Sequence, residues 1–221
     1  MTTAAVYTHT IPARALAACL VAAPKSDIRN YLVGVLVSPA LRAVAATDGH
    51  MLVRCNVPEI TGGPEVILPR ASVEAALATV SKRALGEMSA ILRVTVPPGE
   101  DEAAPPSTLC EMSINGASFA CAPVEGRYPD ICRVVPPFDA IAAPAVYDPA
   151  LTGRADKALQ LWQRSNVPYA IVPYGEKAGV AMSSERNALA LVMPMRYNLI
   201  SEVSEAARAE WNAALNTFRG E

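Results

Sequence analysis

The chain repeats one unit three times, and this constrains the fold more than any single residue does. Each copy opens with a short β-prone run that meets a proline and turns helical: "YTHTIPARALAACLVAA", "EVILPRASVEAALATV" and "AVYDPALTGRADKALQLW". Proline suits the first turn of a helix, where its missing N–H would lack an intrahelical partner anyway. Apolar residues then recur at helical spacing, as Val73, Leu77 and Val80 do in the second copy. Three strand-like runs follow each helix. They are "YLVGVLVS", "ALRAVAAT" and "HMLVRCNV", then "AILRVTVP", "TLCEMSIN" and "ASFACAPV", then "PYAIVPYG", "AGVAMSS" and "NALALVMP". The pattern is β-α-β-β-β, beginning near residues 5, 64 and 144, and it gives an α+β fold class.

Such repetition argues for modular architecture rather than for one catalytic cleft. A single unit cannot bury both faces of its sheet and helix, so units must pair. Three units leave one without an obvious partner inside the chain. The proline-rich acidic stretch "PPGEDEAAPPS" (97–107) reads as a loop between strands.

Chemistry is hard to find in the motifs. Asp48 stands two residues before His50, one of only two histidines, which raises the question of a catalytic pair. Asp48-Gly49 is also a natural hairpin turn, and turn chemistry accounts for the aspartate better. There is no GxSxG, HExxH or phosphate-cradling glycine loop. The five cysteines include no CxxC, so no zinc pattern arises and reduced cytosolic thiols are expected. The reading is a non-enzyme without cofactor or metal. No apolar run is long enough for a membrane span and the start lacks a signal-peptide pattern, so a cytoplasmic protein is expected.

The charge distribution says more than the total. The helical stretches 13–30, 70–85 and 150–165 hold nine cations against three carboxylates, while the whole chain carries a net charge of −2. Basic helices on an acidic body can hold a polyanion along one surface. Charges scattered over solvated helix faces would give the same count.

Three motifs in order carry a family resemblance: "DIRNYLVGVLVSPALRAVAATDGHMLVR" (27–54), "EGRYPDICRVVP" (125–136) and "VMPMR" (192–196). Together, on this repeat, they resemble the bacterial replicative sliding clamp, the β subunit of DNA polymerase III, in a shortened form. The resemblance covers about residues 5–197. It implies a DNA-clamp fold of three β-α-β-β-β units with helices on one face of antiparallel sheets. Residues 1–136 resemble the clamp's middle domain and 137–197 half of its last one. Residues 198–221 add a helix, with Val203, Ala207, Trp211, Leu215 and Phe218 near one face and Ser201 as N-cap. That helix would pack on its own domain, form an oligomer contact, or cover the neighbouring pocket.

The resemblance also implies sites. A pocket for the peptide tails of polymerases would be formed by Leu32, Thr47, Gly49, His50, Leu52, Pro129, Arg133, Val134, Leu191, Val192, Met193, Pro194, Met195 and Arg196. Duplex DNA would be touched by Lys25, Arg29 and Tyr31, with Asn30 standing where the family commonly has a second aromatic residue. The helix cations Arg14, Arg70, Lys82, Arg83, Arg154 and Lys157 would add sequence-independent phosphate contacts.

Clamp rings assemble about twelve such units, so three per chain would imply a homo-tetramer with dihedral symmetry. The function implied is a processivity factor tethering a DNA polymerase, with a clamp loader as a further partner. The rival is a non-encircling module that captures clamp-binding peptides and competes with or regulates a full-length clamp.

Overall fold

The computed structural model of the chain describes residues 3–98, 108–136, 145–163, 171–174 and 177–195. The expected C-terminal helix, Arg196 and most of the acidic insertion lie outside these residues.

The first two units exchange strands. Ala5–Pro12 (β1) leads into the helix Ala13–Ala22 (α1), then Gly34–Ser38 (β2), Ala43–Thr47 (β3) and Met51–Asn56 (β4). Val66–Pro69 (β5) leads into Arg70–Ala78 (α2), then Ser89–Val96 (β6), Leu109–Ile114 (β7) and Ala117–Cys121 (β8). Yet β1 pairs antiparallel with β6, and β5 pairs with β2. Each unit completes the other's sheet, so neither sheet can form from one unit alone.

Proline marks both strand-to-helix switches. Pro12 and Pro69 sit just before their helices at φ −55°, with extended ψ of 129° and 134°. Neither helix has a side-chain N-cap; the fixed proline φ and absent N–H set the corner instead. In the third unit Pro149 is itself the first residue of Pro149–Gln163 (α3), and the Asp148 carboxylate caps it by accepting the Ala150 N–H at 2.7 Å.

Two helices are shorter than the sequence periodicity suggests. Ala23 is extended at ψ 131° ahead of Pro24, which ends α1 at Ala22. Thr79 closes α2 by donating its hydroxyl to the Ala76 carbonyl at 2.7 Å. Lys25, Arg29, Lys82 and Arg83 therefore lie in loops after the helices. The three helices themselves hold four cations (Arg14, Arg70, Arg154, Lys157) against Glu74 and Asp156.

The third unit does find a partner inside the chain, contrary to the expectation from counting units. After α3 come Val172–Tyr174 (β9), Lys177–Met182 (β10) and Ala188–Val192 (β11). Strand β11 pairs with β4, from Ala188 opposite Cys55 to Val192 opposite Met51, while α3 packs on α1. The result is a seven-stranded sheet ordered β5-β2-β3-β4-β11-β10-β9, beside a four-stranded sheet ordered β1-β6-β7-β8. The longer sheet thus crosses the boundary expected between residues 136 and 137. Residues 145–148 form no first strand; the Met195 N–H instead meets the Val146 carbonyl at 2.8 Å.

Alternation along the strands builds two cores. Val35, Val37, Val44, Ala46, Val53, Cys55, Ala190 and Val192 face the helices, in one core with Leu16, Val73, Leu159 and Trp162. Leu36, Ala45, Leu52, Val180 and Leu191 face the other way. The segment 122–136 crosses that outer face and covers part of it with Tyr128 and Ile131. Its Val124 N–H is tied to the Ile67 carbonyl at 2.8 Å.

Candidate functional site

Where the 122–136 segment stops covering the outer face, an apolar pocket of about 200 Å³ remains. Leu52 of β4, Leu191 of β11, Ala178 of β10 and Leu32 supply apolar walls. Pro129, Asp130, Ile131 and Val134 line one side, and the β3–β4 turn with Met193 and Arg29 lines the other. Val134 and Met193 are 49% and 42% exposed, so the mouth itself is greasy. An apolar groove with backbone groups at its rim fits an extended apolar peptide.

The turn is held by its own side chains. Thr47 Oγ1 donates to the Met51 carbonyl at 2.6 Å and accepts the Gly49 N–H at 3.0 Å. Asp48 Oδ1 accepts the His50 and Met51 N–H groups, both at 2.9 Å. Asp48 therefore meets the backbone of His50, as turn chemistry requires. Gly49 has φ +90°, and a Cβ there would come within 3.2 Å of the Arg29 guanidinium that lies over it. The Met193 N–H reaches the His50 carbonyl at 2.9 Å, fastening the third unit to this turn.

Arg29 is positioned by Asp27, to which it donates through Nε at 3.0 Å and Nη2 at 2.8 Å. These hydrogen bonds hold the Asp27 carboxyl down to about 2. Arg29 Nη2 also donates to the Asp48 carbonyl at 3.2 Å.

Nine of the fourteen residues expected at a peptide pocket line this one: Leu32, Thr47, Gly49, His50, Leu52, Pro129, Val134, Leu191 and Met193. Val192 does not, because alternation turns it into the helix-side core, where it is fully buried. Arg133 is exposed beside the pocket, and Pro194 and Met195 follow β11 outside the lining. Arg196 lies outside the described residues. Met51, Asp130, Ile131 and Ala178 were missed, although strand alternation in β10 and β11 could have found Ala178. Tyr128 was missed too. Its buried hydroxyl accepts the Thr47 N–H at 2.9 Å, and desolvation pushes its pKa well up.

The helix side has a second, basic cleft of about 620 Å³ beside the C-terminus of α1. Lys25, Arg70, Arg154 and Lys157 line it, together with Asp48. Two of these cations cap α1: Arg70 donates to the Leu20 and Ala23 carbonyls, and Arg154 donates to the Val21 carbonyl at 2.8 Å through Nη2. A helix C-terminus lacking basic residues of its own is thereby satisfied by the other two helices. Of the other residues expected at DNA, Arg14 lies over the Trp162 ring at 4.7 Å from its centroid. Lys82 and Arg83 are exposed in the loop after α2. Tyr31 packs against the outer core, near Gly126, and Arg29 lines the apolar pocket; neither lines the basic cleft.

No protein-family model and no curated protein matches the sequence. Solved structures do match. The DNA polymerase sliding clamp from Pseudomonas aeruginosa aligns at a TM-score of 0.58 and 16% identity, over 86% of this chain and 66% of that one. The chain has the sliding-clamp fold. The clamp from Bartonella birtlesii aligns at 0.59 and 15% identity, over 89% of this chain and 67% of that one. The Caulobacter crescentus clamp aligns at 0.58 and 15%, with 89% and 67% covered. This chain thus spans about two thirds of the length of each of these clamps. Among the described residues no group of three His, Cys, Asp or Glu could hold a metal, and no helix is long and apolar enough to cross a membrane.

Proposed function

We propose that this protein is a DNA sliding clamp, a non-catalytic processivity factor that tethers a DNA polymerase by gripping an apolar peptide tail of the polymerase. One observation carries the reading. Residues from the turn 47–51, the segment 129–134 and the strand end 191–193 converge on one apolar pocket, in a chain with the sliding-clamp fold. Flexible Met193 and half-exposed Val134 adapt to a peptide's apolar side chains, while Arg29 and the turn's backbone orient it.

The helix side, with Lys25 and Lys157 exposed in the basic cleft, faces duplex DNA through phosphate contacts alone. Binding is then independent of sequence and falls steeply with salt. Encirclement needs several copies, and four chains of three units supply the twelve that a ring uses. A clamp loader is the further partner that a closed ring requires.

The rival reading is a non-encircling module that captures clamp-binding peptides and competes with a full-length clamp. The cap role of Arg70 and Arg154 favours it, since those charges already have partners in the chain. Retention on DNA separates the two. A clamp stays on nicked circular DNA at moderate salt, with loader if needed, and is lost when the circle is linearised. Peptide binding without topological retention sinks the clamp reading and leaves the rival.

A further inference from the structure

Asp48 lines the basic cleft and also braces the turn that walls the apolar pocket. Its Oδ1 holds the His50 and Met51 N–H groups of the turn that walls the apolar pocket. Its Oδ2 accepts from Arg154 Nη1 at 2.8 Å, on the basic cleft. Arg154 belongs to α3 in the third unit, and its other donors, Nε and Nη2, are fixed on the Val21 carbonyl. Nη1 is therefore the donor that a ligand in the cleft can draw away without uncapping α1.

We propose that the Asp48–Arg154 pair couples the two surfaces, so that phosphates of duplex DNA in the basic cleft weaken peptide binding in the apolar pocket. This inference rests on the peptide-pocket reading above. Lys25 and Lys157, both exposed, draw a phosphate to the cleft, which Arg154 lines with them while it donates to Asp48. A phosphate forms charge-assisted hydrogen bonds to a guanidinium and competes directly with the Asp48 carboxylate for Nη1. Losing that partner leaves Asp48, whose side chain is only 14% exposed, as a poorly solvated anion. The turn then relaxes to solvate it. Gly49 and His50 line the pocket on that turn, and Met193 hangs on the His50 carbonyl, so one pocket wall loosens. Linkage makes the effect reciprocal: a peptide that holds the turn in place favours the ion pair and disfavours the phosphate. Arg154 is thus a positioning residue for a pocket it does not line.

The test is a two-ligand titration of the full chain. The peptide probe is a labelled extended peptide with leucine and phenylalanine at alternate positions, followed by anisotropy. The anion probes are a short blunt duplex carrying its own second label and, separately, tripolyphosphate. In the wild type, saturating duplex raises the peptide Kd about five-fold, within the usual range of such couplings. Tripolyphosphate acts in the same direction if phosphates alone suffice, and has no effect if the duplex geometry is needed. In Arg154→Met and in Asp48→Asn the peptide binds more weakly without duplex, and added duplex changes its Kd less than two-fold. Thermal melting checks that each variant is folded. The coupling is overturned if the wild-type peptide Kd ignores bound duplex, if the duplex does not bind, or if Arg154→Met responds as the wild type does. That last result would mean that duplex simply covers the pocket. Absence of peptide binding in the wild type without duplex overturns the pocket reading itself, which is a separate and distinguishable outcome.

Discussion

The Tyr128 hydroxyl accepts the Thr47 N–H at 2.9 Å across 81 residues of sequence, joining the 122–136 segment to the turn that walls the pocket. Tyr128 is 5% exposed and sits in the outer core, so its ring fixes where the segment lies and its hydroxyl fixes the turn. Tyr128→Phe keeps the ring and strands the Thr47 donor. An unpaired buried donor costs about 1–3 kcal/mol, which lowers Tm by roughly 2–4 °C per kcal/mol in a chain of this size. Peptide affinity falls with it, because the Thr47 side chain is half of the turn's internal bonding. A Tm within one degree of wild type, by calorimetry, would sink this account.

Val192, the last residue of β11, and Met193 just after it should separate binding from stability. Met193 lines the pocket and is 42% exposed, whereas Val192 is fully buried among the helix-side residues. Met193→Ser therefore weakens peptide binding while stability shifts by no more than about 0.5 kcal/mol. Val192→Ala does the reverse, costing about 1–3 kcal/mol through a core cavity with little change in affinity. Urea denaturation and peptide titration on both variants decide it. The opposite pattern would mean that β11 presents its other face to the pocket.

Much of this was legible in the sequence, because β-α-β-β-β periodicity is a local signal. All nine meander strands form within the strand-like runs. Turn chemistry at Asp48-Gly49 was legible for the same reason. Less visible was what long-range pairing decides. That β1 joins β6 rather than its own unit, or that β11 joins β4, depends on which edges meet in space. The two faces of β11 were blurred because its apolar run shows no alternation in polarity, and only the fold tells Leu191 from Val192. Charge counting overstated the helix face, since Arg70 and Arg154 are drawn in by α1 carbonyls that the sequence does not show to be unsatisfied. Tyr128 was hidden inside a turn motif, its partner Thr47 lying far away in the chain.

His9 gives a stability change with pH. It is 1% exposed on β1, and neither ring nitrogen has a hydrogen-bond partner among the described residues. Burial lowers its pKa, since the charged ring would lose solvation that nothing replaces. Above about pH 6.5, the unperturbed histidine value, both folded and unfolded forms are neutral and His9 has no pH effect. As pH falls below that, the unfolded chain binds a proton that the folded chain resists, so stability is lost until the folded pKa is reached. Asp27, held down to about 2, acts in a different window, below its ordinary value of 3.8. His9→Leu should remove the loss that sets in below about pH 6.5 and leave the carboxylate-range loss in place. Urea midpoints across pH 4–8 for both proteins test this, and parallel curves would show that His9 is not the responsible group.

The outer edge of β8 offers the test of assembly. It is the last strand of the second unit, as β4 and β11 are of the first and third. Those two pair with each other, whereas β8 has no outer strand partner among the described residues. A two-residue turn, Asn115 at φ 49° and Gly116 at φ 77°, joins β7 to β8 with Ile114 opposite Ala117. The pair flanking such a turn is hydrogen-bonded, and the pattern alternates from there. The N–H groups of Ala117, Phe119 and Cys121 thus aim at β7, and those of Ser118 and Ala120 aim outward. Ala120→Pro removes an outward donor without breaking the β7–β8 ladder, since proline is tolerated where its position faces solvent. If copies join through this edge, the wild type sediments as an oligomer, near 93 kDa for four chains of 23.3 kDa, and Ala120→Pro falls to half that mass or less. Peptide affinity stays the same, because β8 lines neither the pocket nor the turn. A wild type that remains at 23.3 kDa at every concentration, with or without duplex, removes the ring. Equal masses for the wild type and Ala120→Pro would place the contact elsewhere.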